Sequence, residues 1–299
     1  MRSALLTIFL AVPARLTLPD SLCLGAFVSE SVCPGVGHQE TRTQSPTKNS
    51  QRCWAAEEAF SNAQFERAAG LARLCLLQDG QSSETYKLLA LSSYMLQHLD
   101  DFQTGMEKAL ALNPADGGAH YHLGRFFYEQ KQYREALNRF SKATELDPEN
   151  QKAYYFRGLC RQASGDEEGA AGDFRKSIEL IERAKINYGW PFADLGELFI
   201  LRGEFEKGLS WIYRATRNDP TLPYTHFAYA RALLRKETSP EIEGSLQKAI
   251  KLDPGYAQAY YLLARYYSKT GDKERAKSTF EKFEQLRKNP VPSPFGLRR

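Results

Sequence analysis
Four of the chain's five Asn-Pro or Asp-Pro pairs constrain it more than any other feature: Asn113-Pro114, Asp147-Pro148, Asp219-Pro220 and Asp253-Pro254. The intervals between them are 34, 72 and 34 residues. A residue that precedes proline is pushed out of the helical region, so each pair marks a place where a helix must stop. Since 72 is two 34-residue units plus four, one register with a four-residue insertion near 182–186 accounts for every interval. Extended in both directions, that register divides the chain into units at 49–82, 83–116, 117–150, 151–188, 189–222, 223–256 and 257–287.

Other positions fall into line once the register is set. The eighth residue of each unit is Ala56, Ala90, Gly124, Gly158, Gly196, Ala230 or Ala264, small enough to let two helices approach closely. Sixteen residues later stand Ala72, Met106, Phe140, Phe174, Ile212, Leu246 and Phe280. Three further on come Cys75, Ala109, Ala143, Ser177, Ala215, Ala249 and Phe283. A large apolar residue followed by a small one at i+3 is a helical packing face. Within a unit the two apolar stretches are separated by a polar break such as Gln130-Lys131-Gln132, or by Gly165-Asp166, Gly203-Glu204 and Gly271-Asp272, where glycine accepts the positive φ that ends a helix. Each unit therefore reads as an antiparallel helical hairpin.

The pattern resembles the tetratricopeptide-repeat family, in which Leu-Gly, an aromatic residue, Ala, Phe, Ala and Pro recur at fixed offsets within 34 residues. The third unit carries it as His120, Leu123-Gly124, Phe127, Ala136, Phe140, Ala143 and Pro148. The first two units match less well, with Phe102 where Ala is expected and Cys53-Trp54 at an irregular start. Arg157 and Arg161 occupy positions that are normally apolar, and residues 237–240 replace the Gly-Asp turn of the sixth unit; both departures are expected to loosen packing locally. The resemblance implies an all-α fold, a right-handed superhelical solenoid of about seven tetratricopeptide repeats, similar to stand-alone bacterial proteins of this kind.

The resemblance also implies where function lies. The inner face of such a solenoid is lined by the first helix of each hairpin, chiefly by the second, fifth, sixth, ninth, twelfth and thirteenth residues. Here those positions offer Tyr121, His122, Arg125 and Tyr128 in the third unit, and Lys152, Tyr155 and Phe156 in the fourth. The fifth adds Trp190, Asp194 and Glu197, the sixth Tyr224, Phe227 and Arg231, and the seventh Tyr261 and Arg265. Tyr and Arg dominate binding energy at many interfaces, so the expected ligand is an extended or helical peptide with acidic and apolar residues. The paired Lys and Asn with which some relatives clamp a C-terminal carboxylate are not spelled out, because the ninth residue is Arg125, Leu159, Glu197, Arg231 or Arg265. With the insertion at 182–186 dividing the array, the groove is expected to comprise two shorter surfaces meeting near Trp190.

Composition narrows the alternatives. Forty basic and 36 acidic residues are interspersed and leave a formal charge of +4, too weak a field to argue for nucleic acid or a membrane surface. No Walker motif, G-x-S-x-G elbow or H-E-x-x-H is present, and the two imidazoles of His120-x-His122 point in different directions on a helix. No catalytic residue, metal or cofactor is expected. The five cysteines form no C-x-x-C pair; Cys75 and Cys160 read as small buried hydrophobes, Cys23 and Cys33 as the pair that export would join, and free thiols as the default.

Outside the repeats, residues 1–26 contain an apolar run at 4–12 behind Arg2, short for a membrane span and of the length of a signal-peptide core. Export to a bacterial periplasm or envelope is one expectation and a cytoplasmic protein with an unstructured leader the other. Residues 27–48 read as a polar linker and 288–299 as a proline-rich basic tail. The function expected is a non-catalytic scaffold for a protein or peptide partner. The alternatives are a regulatory repeat subunit of an enzyme complex and an element that self-associates through the last repeat, which ends in Phe280, Phe283 and Leu286.

Overall fold
The computed structural model describes residues 48–291 apart from residue 237. The leader, nearly all of the linker, the Cys23 and Cys33 pair and the end of the tail lie outside the described residues. Fourteen helices and no strand occur among those that are described. They pair into seven hairpins: α1 (Lys48–Ser61) with α2 (Phe65–Asp79), α3 (Ser83–Met95) with α4 (Leu99–Leu112), α5 (Gly117–Glu129) with α6 (Tyr133–Leu146), and α7 (Gln151–Ala163) with α8 (Glu167–Ala184). The series continues with α9 (Trp190–Leu201) and α10 (Phe205–Asn218), α11 (Pro223–Lys236) and α12 (Pro240–Leu252), and α13 (Ala257–Thr270) and α14 (Lys273–Lys288). Each hairpin packs on the next, and successive first helices touch at α1–α3, α5–α7, α9–α11 and α11–α13. The result is an all-α solenoid.

The residue before each proline caps a helix in the same way. Asn113, Asp147, Asp219 and Asp253 follow α4, α6, α10 and α12, with φ between −137° and −130° and ψ between 80° and 93°. Each donates its backbone N–H to the carbonyl of the alanine four residues back, Ala109, Ala143, Ala215 or Ala249. Three of the four side chains then accept from the amide two residues on, at Ala115, Glu149 and Gly255. An Asx turn of this kind satisfies orphan groups at the helix end and redirects the chain into the next hairpin.

The small-large pairing sets the distance between the helices of a hairpin. A Cβ on Gly124 would lie 2.7 Å from the Phe140 ring, and one on Gly158 2.6 Å from the Phe174 ring. Neither ring has room to give way, so these positions need glycine. The turn inside six of the seven hairpins uses a left-handed residue at the fifteenth position. Gly165, Gly203 and Gly271 have φ near 84°, while Ala63, Gln97 and Lys131 take φ of 56° to 63° without being glycine.

Three sequence expectations are corrected. Cys53 and Cys75 form a disulfide between α1 and α2, with Cα atoms 5.6 Å apart, so Cys75 is not a free thiol. Cys160 is a buried free thiol whose pKa burial pushes up to about 12, which makes it unreactive. Arg157 and Arg161 do not loosen the fourth unit. Arg157 grips both oxygens of the buried Asp173 at 2.9 and 2.6 Å and bonds Thr144 Oγ1 at 2.6 Å, while Arg161 reaches Asp173 at 3.1 Å, so the pair ties α6, α7 and α8 together.

The third correction concerns the insertion. It is absorbed as an extra turn of α8, which has 18 residues where α4, α6 and α10 have 14. The chain after that turn is pinned by Asn218, which accepts from the Tyr188 amide at 2.9 Å and donates to the Ile186 carbonyl at 3.2 Å. A single apolar cluster then runs unbroken from Tyr155 through Ile181, Phe192 and Tyr224 to Tyr267. The insertion does not divide the core.

Candidate functional site
The first helices α5, α7, α9, α11 and α13 bring the expected groove residues onto one side of the solenoid, but to different depths. In the third hairpin Tyr121, His122 and Arg125 are buried, Arg125 to 3% exposure. The Arg125 guanidinium lies 4.4 Å from the centre of the Phe156 ring and pairs with Glu129 at 3.0 Å, and Glu129 also accepts from the Tyr94 hydroxyl. This arginine is therefore committed to the interior. Tyr128 stays half-buried, edge-on to Phe156 at 5.6 Å.

His122 shares that interior with Lys87 of α3 and Lys152 of α7. Burial first, and then the charges of Lys87 and Arg125, pull its pKa down to about 3, against a smaller opposing effect of Asp116. It is a neutral imidazole at physiological pH. Asp116 caps α5 by accepting from the Ala119 amide at 2.9 Å and pairs with Lys87 at 2.5 Å. Burial pushes its carboxyl upward, but Lys87 and the amide outweigh this and hold it below the usual carboxylate range. His120 and its repeat equivalent His226 play a different part. Each ring bonds the carbonyl of the proline six residues back, Pro114 at 3.2 Å and Pro220 at 3.0 Å, which fixes the hairpin junction.

The middle of the face is built around Asp194 of α9. Tyr155 of α7 and Tyr224 of α11 donate their hydroxyls to its two oxygens at 2.8 and 2.7 Å, all three residues being buried. Trp190 stacks on Tyr224 with ring centres 4.5 Å apart and remains half-exposed. Phe227 is buried against Tyr256, whereas Phe156 and Lys152 are half-exposed. Further along, Glu197 of α9 pairs with Arg231 of α11.

The last two first helices differ from the rest. A depression of about 360 Å³ lies between α11 and α13, lined by Arg231, Leu234, Arg235, Leu262, Arg265 and Lys269. Tyr261, 42% exposed, and Arg265 stand beside each other on the outer part of α13. Arg235 and Lys269 were missed among the expected groove residues. Each is the thirteenth residue of its unit, one of the positions the family lines its groove with, so the register alone would have found them.

Profiles of the tetratricopeptide repeat match two stretches of the chain, residues 124–165 and 245–278. Both stretches lie within the hairpin series described above. The chain carries tetratricopeptide repeats.

Tetratricopeptide repeat protein 37 of Xenopus laevis is 22% identical over 72% of this chain, which spans 16% of that protein. Hsc70-interacting protein 1 of Drosophila melanogaster is 32% identical over 33% of the chain, which corresponds to 26% of its own length. A tetratricopeptide-repeat protein from Parabacteroides merdae has the same fold, with a TM-score of 0.63 at 17% identity over 80% of this chain and 93% of that one. The chain thus spans about a quarter or less of the two curated relatives. Tetratricopeptide-repeat proteins act in general as scaffolds for protein–protein interaction and are in general not catalysts. Among the described residues no three His, Cys, Asp or Glu side chains are grouped to hold a metal, and no helix is long and apolar enough to cross a membrane.

Proposed function
We propose that this tetratricopeptide-repeat protein is a scaffold that holds an extended or helical peptide segment, rich in acidic and apolar residues, along its first-helix face. The observation that carries the reading is the set of accessible aromatic side chains on the first helices α5, α7, α9 and α13, Tyr128, Phe156, Trp190 and Tyr261, set beside cations that continue to Arg265. Aromatic anchors supply area at small entropic cost, and arginine supplies directional bonds to carboxylates. Burial of Arg125 and Tyr121 moves the working surface toward the second half of the array. Panning a random dodecapeptide library on the full chain tests the reading. Selected peptides should be acidic and apolar and lose binding to Trp190→Ser, but not to Tyr213→Ser, which alters an exposed side chain on the second-helix face. Peptides that bind Trp190→Ser as well as the wild type would sink it.

A second reading is self-association through the last hairpin, and one observation favours it. Phe280 is 44% exposed, whereas its repeat equivalents Ala72, Met106, Phe140, Phe174, Ile212 and Leu246 are fully buried. With Phe283 and Tyr261, its ring forms a cluster at 5.3 to 5.6 Å spacing that no following hairpin covers among the described residues. Light scattering on the full chain and on Phe280→Asp decides the matter: a mass that halves in the variant supports it, and a monomer in both rejects it.

A further inference from the structure
The groove of this protein is not uniform in charge, and the difference is concentrated in one place. Along α11, Arg231 and Arg235 are one turn apart, and along α13, Arg265 and Lys269 are one turn apart. The four cations surround the same depression of about 360 Å³, whose floor is the buried pair Leu234 and Leu262, and no carboxylate lines it. Two of the cations are fixed in place. Arg231 is held by Glu197 of the neighbouring α9, and the Lys269 ammonium donates to the Leu234 carbonyl at 3.2 Å, across the α11–α13 junction. The other two are uncommitted: among the described residues neither Arg235 nor Arg265 is in an ion pair, and Arg265 only overhangs the Tyr261 ring at 5.9 Å.

This contrasts with the other groove charges. Lys87 is paired with Asp116, Arg125 with Glu129 and Arg231 with Glu197. Four positive charges around an apolar floor that no carboxylate lines leave a local excess of cation in a chain whose net charge is only +4. Their mutual repulsion is relieved when carboxylates enter, and a partly enclosed site strengthens each pairing relative to open solvent.

We propose that the α11–α13 depression is the seat for an acidic stretch of a partner polypeptide, with two of its carboxylates on Arg235 and Arg265 and an apolar side chain between them on Leu234 and Leu262. The proposal rests on the groove reading above and narrows it to one pocket and one ligand chemistry. Guanidinium groups match carboxylates in pairs of parallel hydrogen bonds, which lysine cannot reproduce. The spacing of one helical turn on both walls sets two successive anionic contacts along the peptide. Arg231 and Lys269, already anchored, supply charge without having to move.

The test uses the full chain and a fluorescein-labelled octapeptide of alternating Glu and Leu, followed by anisotropy. The peptide should bind the wild type, more tightly at low ionic strength, and an alternating Lys and Leu peptide should not. Arg235→Glu combined with Arg265→Glu should raise Kd by about tenfold or more, with Arg235→Lys combined with Arg265→Lys falling between. Arg217→Glu, an exposed change of the same sign on α10, should leave Kd within about twofold. Circular dichroism of each variant confirms that it is folded. No binding of the Glu and Leu peptide to the wild type, equal binding of the two peptides, or an unchanged Kd in the double Glu variant overturns the proposal. If the double Glu variant binds normally while Trp190→Ser does not, the pocket is wrong and the groove reading stands. Tighter binding of a uridine decamer than of the acidic peptide, abolished by the double Glu variant, overturns it in favour of a nucleic-acid ligand.

Discussion
The Tyr155 hydroxyl donates at 2.8 Å to Asp194, a residue on the far side of the four-residue insertion, and Tyr224 occupies the second oxygen of the same carboxylate. Three consecutive hairpins are thereby joined by one buried anion. Asp194→Ala leaves two buried phenolic hydroxyls without their acceptor, and each hydrogen bond to a charged group is worth about 1.5–3 kcal/mol. The variant should lose about 3 kcal/mol in urea unfolding, with Asp194→Asn losing less because the amide still offers an acceptor. Since repeats couple through neighbours, the loss should appear as early opening at α7–α11 in amide exchange, not evenly along the chain. Uniform exchange in both variants would mean that the Asp194 bridge does not couple the hairpins.

The left-handed turns give a prediction of opposite sign. Lys131 adopts φ of 60° at the position where three other hairpins have glycine. A side chain in that region costs about 1–2 kcal/mol, partly offset on substitution by the larger unfolded-state entropy of glycine. Lys131→Gly is therefore expected to stabilise by about 0.5 kcal/mol, and Gly271→Ala to destabilise by about 1 kcal/mol, read from urea midpoints.

Acid should weaken the fold through histidine. The folded-state pKa of His122 is held at about 3, whereas the unfolded chain titrates near its ordinary value. The stability this residue confers is complete above pH ~6.5 and is lost progressively as pH falls toward the folded value, because only the unfolded state takes up the proton. His120 and His226, whose pKa values burial also lowers, act in the same direction. Between pH 7 and pH 5, His122→Gln should lose up to about 2 kcal/mol less stability than the wild type. Parallel pH profiles for the two proteins would contradict the burial of a neutral imidazole.

The Cys53–Cys75 bridge closes a loop with a sequence separation of 22 residues, and a loop of that size contributes about 3 kcal/mol in the chain-entropy account. Disulfides persist in oxidising compartments, so whether this bridge is formed in the native protein tests the expectation of export against that of a cytoplasmic protein. Reduction, or Cys53→Ser, should speed amide exchange in α1 and α2 and leave α11 to α14 unchanged. Protein isolated from its native source under thiol-blocking conditions should show these two cysteines unlabelled. Labelling of both at once would place the protein in a reducing environment.

The period of 34 residues made the hairpins, their boundaries and the small-large contacts legible, because proline, glycine and alanine act through local sterics that a sequence states directly. What it left hidden were partnerships between hairpins. Arg157 looked out of place because its neighbour in sequence gives no hint of Asp173, although the register sets Gly158 on Phe174 and so places the preceding residues side by side as well. The Cys53–Cys75 pairing needed the angle between two helices, and the burial of Arg125 needed the depth of the Phe156 ring behind it. Position in a repeat tells which face a side chain is on. It does not tell how far that face is filled by the side chain's neighbours.

That distinction makes the Arg157–Asp173 pair a sharp case for mutation. Asp173 is buried, carries two arginines and lies at the contact between α7 and α8. Removing one partner of such a pair leaves an uncompensated buried charge and costs about 3–5 kcal/mol, whereas replacing both by apolar groups of similar shape can be close to neutral. Asp173→Leu alone should therefore destabilise strongly and Arg157→Met alone nearly as much, since each strands the other. The combination of Asp173→Leu with Arg157→Met should recover most of the loss, provided Arg161 swings toward solvent, as its partial exposure allows. A double variant as unstable as the sum of the single ones would show that the ion pair is needed to hold α6, α7 and α8 in register, and that apolar packing cannot take its place.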